Sequence, residues 1–253
     1  SRVRRVRLPA LEINQTLHDY LLIRHIAAPE TERPATATSL RTYAGKVKRI
    51  QLTLDDGRLV NVTNRREQDL FADSEYELSA FDYKLENDTL VISEKFTWNR
   101  HPLLPPNDLP EYQESIRASW KNALTLSEEQ SDASGNVVTP GLRPPQIGAL
   151  HSLAAHSTVE GGAALVVMPT GTGKTEVMLA SLIMQQPKRM LVLLPSDPLR
   201  EQTFNKFLSL GVLPNTAVLS AAAKAPVVGM LRHAPPTAES LLANASLKRL
   251  TWP

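Results

Sequence analysis

The chain contains no cysteine. That absence excludes disulfides, thiol catalysis and cysteine-based zinc sites, and it suits a reducing, cytoplasmic setting. No apolar run approaches the roughly 18 residues that a membrane helix requires, so no membrane partner is expected. The opening "SRVRRVRLPALEIN" has neither an initiator Met nor a signal-peptide apolar core, and Ser1 reads as a trimmed terminus. Internal repeats are missing too. The six histidines form no ligand set: His151 and His156 are five apart and fall on different helix faces. No Ser-His-Asp arrangement is visible.

What is present is an ordinary globular composition, 42% hydrophobic and 21% charged over 253 residues. That length suits one large domain or two smaller ones. The net charge of +2 is unevenly distributed. Residues 1–140 carry 18 Lys/Arg against 21 Asp/Glu, whereas residues 141–253 carry 10 against 5. A basic C-terminal part is compatible with a phosphate-backbone partner, and equally with solvated surface Lys and Arg.

Three regions follow from the patterning. Residues 11–28, "LEINQTLHDYLLIRHIAA", place apolar groups at roughly helical intervals, which predicts a helix closed by Pro29. From 40 to 100 the pattern alternates. Asp56-Gly57 marks a hairpin and Asn87-Asp88 breaks a second pair of strands, predicting a small antiparallel sheet or barrel. Lys46, Lys48, Arg49, Arg65 and Arg66 stand beside aromatics there. That mixture binds single strands in small barrels, although core aromatics and a wet charged face account for it more simply. "HPLLPPNDLP" (101–110) reads as a stiff connector, "YQESIRASWKNALTL" as a short helix, and "SEEQSDASGNVVTPG" (127–141) as a flexible boundary. The expected division is a β-rich domain with an N-terminal helix over 1–100, a linker over 101–140, and an α/β domain over 141–253.

The third region carries the chemistry. "AALVVMP" reads as a buried strand, Pro169-Thr170-Gly171-Thr172-Gly173-Lys174-Thr175 as a phosphate loop, and "EVMLASLIMQQ" as the helix after it. "RMLVLLPS" predicts a second strand and "PLREQTFNKFLSL" a helix capped by Gly211. Strand–helix–strand with short loops implies a right-handed crossover and a parallel sheet. Gly171 and Gly173 let backbone N–H groups approach phosphate oxygens, and the following helix directs its dipole at the anion. Lys174 can bridge terminal phosphates, and the Thr175 hydroxyl can hold Mg²⁺. One position departs from the general pattern, which places Gly where this chain has Met168.

"MPTGTGKTE" resembles motif I of superfamily 2 helicases and translocases, the group containing type I and type III restriction-enzyme motor subunits. "LRPPQIGALHSL" (142–153) resembles that family's adenine-reading segment. The resemblance implies ATP and Mg²⁺ as cofactors, Gln146 as adenine reader with Arg143 in support, and Thr170 to Thr175 around the phosphates. "LVLLPSDPLREQ" (191–202) resembles motif Ia, in which Pro195, Ser196, Arg200 and Gln202 would lie along a nucleic-acid backbone, DNA before RNA. An apolar strand ending in Asp197 also has the form of a Mg²⁺-holding acid, while its place before Pro198 suits a helix N-cap.

The resemblance covers roughly residues 141–220. No Asp-Glu-x-His or Asp-Glu-Ala-Asp box, Ser-Ala-Thr motif or second-domain arginine motif occurs in the sequence. The expectation is therefore a partial RecA-like domain after a β-rich domain, the ATP-binding N-terminal portion of a longer motor. Two alternatives remain open: a nucleotide- or nucleic-acid-binding fragment that does not hydrolyse ATP, and an unrelated phosphate-loop enzyme. The Gln146 segment and the motif-Ia-like strand argue against the second.

Overall fold

A computed structural model describes residues 3–17, 20–43, 47–64, 74–92, 95–103, 109–159, 162–234, 237 and 239. In chain order the strands are β1 (Arg5–Leu8), β2 (Leu11–Leu17), β3 (Leu21–Ala28), β4 (Thr31–Tyr43), β5 (Val47–Leu54), β6 (Leu59–Thr63), β7 (Tyr76–Ala80), β8 (Tyr83–Glu86), β9 (Thr89–Ile92) and β10 (Phe96–Arg100). Then come α1 (Leu109–Ser119), β11 (Gln130–Ser131), β12 (Val137–Thr139), α2 (Pro144–Ser157), α3 (Lys174–Gln185), α4 (Asp197–Ser209) and β13 (Val228–Leu231). The result is a mixed α/β chain in two units, one of Ser1–Glu12 with Ala27–Pro105, the other of Ile13–Ile26 with Pro106–Pro253.

The first unit is an eight-stranded sheet in the order β10-β7-β6-β5-β4-β1-β9-β8. It is larger than the small antiparallel sheet expected, and it is mixed, because β1 pairs with β9 and β6 with β7 in parallel. Both predicted hairpins form. Gly57 adopts φ +84° between β5 and β6, and Asn87 and Asp88 both take positive φ between β8 and β9. Val6, Leu52, Val60, Leu78 and Leu90 form the core with Tyr76 and Trp98, so these two aromatics are structural. Arg33 pairs with Asp55 and Asp56, Arg5 and Arg7 with Glu32, and Arg58 with Glu75. Lys46, Arg65 and Arg66, and the side chains of Lys48 and Arg49, lie outside the described residues.

The second unit contains the helices and a three-stranded sheet, β13-β3-β2. Here the expected N-terminal helix is corrected, because residues 11–17 and 21–28 are strands. The reason is visible in the burial: Leu11 and Ile13 are buried while Glu12 and Asn14 face solvent, a two-residue period. On β3, Leu21 and Ile23 enter one cluster and Leu22 another, so that strand is buried on both faces at its start. Tyr112 and Ile116 on α1 and Trp120 just past its end recur every fourth residue and enter the core beside Leu150, Leu179 and Ile183. The segment expected as a linker thus supplies core side chains.

The expected parallel sheet is the second correction. Neither 163–168 nor 189–195 is a strand in the described structure. Both are irregular segments, with Leu165, Val167, Leu191 and Leu193 between 78% and 88% exposed. Composition supplies only half of a strand; the other half is a neighbour offering backbone donors and acceptors. No strand among the described residues pairs with either run. The helices beside them form nonetheless, because α3 buries Val177, Leu179, Ala180, Leu182 and Ile183.

Candidate nucleotide-binding site

The loop before α3 starts from Met168, which is buried at 8% exposure and anchors the turn in the core. Thr172 Oγ1 donates to Pro169 O at 2.7 Å, closing the turn. Gly171 and Gly173 hold φ of +81° and +86°, the left-handed conformation that disfavours a side chain. At Gly173 space is also lacking: an added Cβ would stand 2.1 Å from Gln146 Nε2.

Gly173 is the N-cap of α3, and no side chain caps that end. The first helical bond runs from Val177 N–H to Gly173 O at 3.2 Å, leaving the donors of Lys174, Thr175 and Glu176 outside the intrahelical ladder. Unsatisfied N–H groups at a helix start, with the positive end of the dipole, make an anion site.

Helix α2 fixes the loop from the opposite side. Arg143 Nη1 donates to Gly171 O at 3.0 Å, and Gln146 Nε2 donates to Gly173 O at 3.3 Å. Gln146 Oε1 accepts the Arg143 N–H at 2.8 Å, so the third residue of α2 satisfies the N-cap N–H with the same side chain that braces the loop. Across a planar trans peptide the C=O and N–H point oppositely. Holding Gly171 O and Gly173 O therefore turns the N–H groups of Thr172 and Lys174 away from those braces.

Lys174 and Thr170 are exposed and Thr175 is half-buried. Among the described residues, Lys174 makes no ion pair, and the Thr175 hydroxyl makes no hydrogen bond to protein. An ammonium and a hydroxyl beside an uncapped helix start are the donor set that a Mg²⁺-bound nucleotide phosphate needs, so these residues fit the group.

Sequence reasoning missed a pair beneath the loop. Glu176, 8% exposed in the first turn of α3, accepts from Lys206 Nζ of α4 at 2.7 Å. A separation of 30 residues leaves no periodic signal for such a pairing.

The motif-Ia-like residues surround the start of α4. Ser196 is its N-cap, exposed, with extended backbone and no capping bond from its hydroxyl. Asp197 is the first helical residue and not the cap; it pairs with Arg200 at 2.5 Å while 86% exposed. Pro195 and Gln202 are exposed. The structure thus brings Arg143, Gln146 and residues 170–175 together. No hydrogen bond or ion pair among the described residues joins Pro195, Ser196, Arg200 or Gln202 to the loop.

Residues 139–226 match the family model described as "Type III restriction enzyme, res subunit". That segment is similar to a restriction-enzyme motor subunit. The match supports a superfamily 2-type, helicase-like motor at the family level, and it contains every residue of the braced loop and of the α4 start. No curated protein and no solved structure matches the chain.

Proposed function

We propose that residues 139–226 are the ATP·Mg²⁺-binding part of a superfamily 2 nucleic-acid motor. The observation that carries this reading is the loop at 170–175, braced by Arg143 and Gln146 and opening an uncapped helix whose Lys174 has no ion pair among the described residues. Backbone N–H groups of the loop and Lys174 hold the phosphates, Thr175 holds Mg²⁺, and Gln146 with Arg143 borders the adenine. In such a motor, hydrolysis of the bound ATP would supply the free energy for movement.

Pro195, Ser196, Arg200 and Gln202 form the nucleic-acid contact, with DNA favoured by the restriction-enzyme likeness. Contacts from these side chains go to phosphates, so binding is indifferent to sequence. Hydrolysis by this chain is slow in this reading. Phosphoryl transfer requires an acid or amide to orient water, and the two acids in these motifs, Glu176 and Asp197, are paired with Lys206 and Arg200.

Two titrations test the proposal. A fluorescent ATP analogue with Mg²⁺ should bind saturably and be displaced by ATP; no binding by the folded chain would end the nucleotide reading. Scrambled single-stranded DNA should bind weakly, with affinity falling steeply as salt rises, and more weakly still to the double variant Ser196→Ala/Arg200→Ala. Sequence-dependent or salt-insensitive binding, or an unaffected double variant, would remove the α4 contact.

A further inference from the structure

The electrostatics beneath the loop are unusual for an anion site. Glu176 lies in the first turn of α3, where a carboxylate and a bound phosphate draw on the same positive helix end. Its Oε2 is 3.1 Å from where a Gly173 Cβ would stand, so the carboxylate abuts the loop itself. With little solvent to screen it, an unpaired anion here would repel an incoming phosphate. Lys206 removes that repulsion, reaching from α4 to Glu176 Oε1 at 2.7 Å.

We propose that Lys206 is a positioning residue for the phosphate loop, neutralising Glu176 so that its charge does not repel phosphate from the loop N–H groups and Lys174. The inference rests on the nucleotide reading above. Lys206 touches no phosphate in this account; it acts through Glu176.

The test uses the 253-residue chain, a fluorescent ATP analogue and Mg²⁺, with the thermal midpoint of every variant measured alongside. K206M should weaken binding on the order of tenfold, the effect of one uncompensated charge nearby at intermediate dielectric. K206R should keep the affinity. The double variant E176Q/K206M should return to within about threefold of the parent, because the anion has gone with the cation. A purely structural role would leave the double variant as weak as K206M. If K206M does not fold, E176Q carries the test: the unopposed Lys206 cation should tighten binding, and unchanged or weaker binding would overturn the proposal. If the parent chain binds no analogue, the nucleotide reading fails and this inference fails with it. A parent that binds, with K206M unaffected or the double variant unrecovered, overturns this inference alone.

Discussion

Gln146 donates its side-chain amide to Gly173 O at 3.3 Å while accepting the Arg143 N–H at 2.8 Å, joining the start of one helix to the start of another. The arrangement leaves no room at Gly173. Alanine there would combine a left-handed φ of +86° with a methyl group 2.1 Å from Gln146 Nε2. Gly173→Ala should therefore cost about 1–2 kcal/mol in strain alone, and more from the displaced brace. Urea unfolding and analogue binding should both be impaired. Unchanged binding would mean that the loop geometry is not what holds phosphate.

The same glutamine has a second expected role. The residue is only 5% exposed, yet one amide N–H and one lone pair remain beyond the two bonds described, enough for an adenine edge. Gln146→Ala should weaken every nucleotide through the lost brace and also reduce the preference for ATP over CTP. Competition titrations with both nucleotides separate these effects. An equal fall for ATP and CTP would leave Gln146 as a brace and remove it as a reader.

Stability should depend on pH through His25. This side chain is fully buried; Nδ1 lies 3.1 Å from Pro226 O and Nε2 lies 2.7 Å from the Tyr112 hydroxyl. Nδ1 donates to the carbonyl, so Nε2 accepts from Tyr112 and the ring is neutral. Burial lowers its pKa to about 4, opposed by the Pro226 hydrogen bond and assisted by the Lys224 charge. With the folded value below the unfolded 6.5, the unfolded chain binds the proton first as pH falls. The neutral ring's contribution is thus complete above about pH 6.5 and is lost progressively toward pH 4, about 3 kcal/mol in all. Urea midpoints should fall between pH 7 and pH 5 more steeply in the parent than in His25→Gln. Parallel slopes would contradict this.

Legibility in the sequence followed the range of the interactions. Local signals held: the Asp56-Gly57 and Asn87-Asp88 turns, the loop glycines and the helices after Gly173 and Ser196 are set by residues within a few positions. The stretch 11–28 misled because Leu17 and Leu21 share a helical interval, while its alternation over Leu11–Asn14 proved the stronger pattern once β13 paired with β3. The runs 163–168 and 189–195 have strand composition without a partner strand, and pairing is a property of two segments. Glu176–Lys206 and His25–Tyr112 were invisible for the same reason, since their separations of 30 and 87 residues follow no local period. The braces from Arg143 and Gln146 were half legible. The resemblance implied that they border the nucleotide; the structure shows them holding the loop's carbonyls.

The central claim is tested most directly by titrating a fluorescent ATP analogue with Mg²⁺ into the parent chain and Lys174→Ala. Lys174 is exposed and makes no described ion pair, so its loss should leave the fold and its thermal midpoint intact. A lysine bonded to phosphate contributes about 1.5–3 kcal/mol, so affinity should fall roughly tenfold to a hundredfold. Equal affinity in the two folded proteins would contradict the assignment of residues 170–175 as the phosphate site.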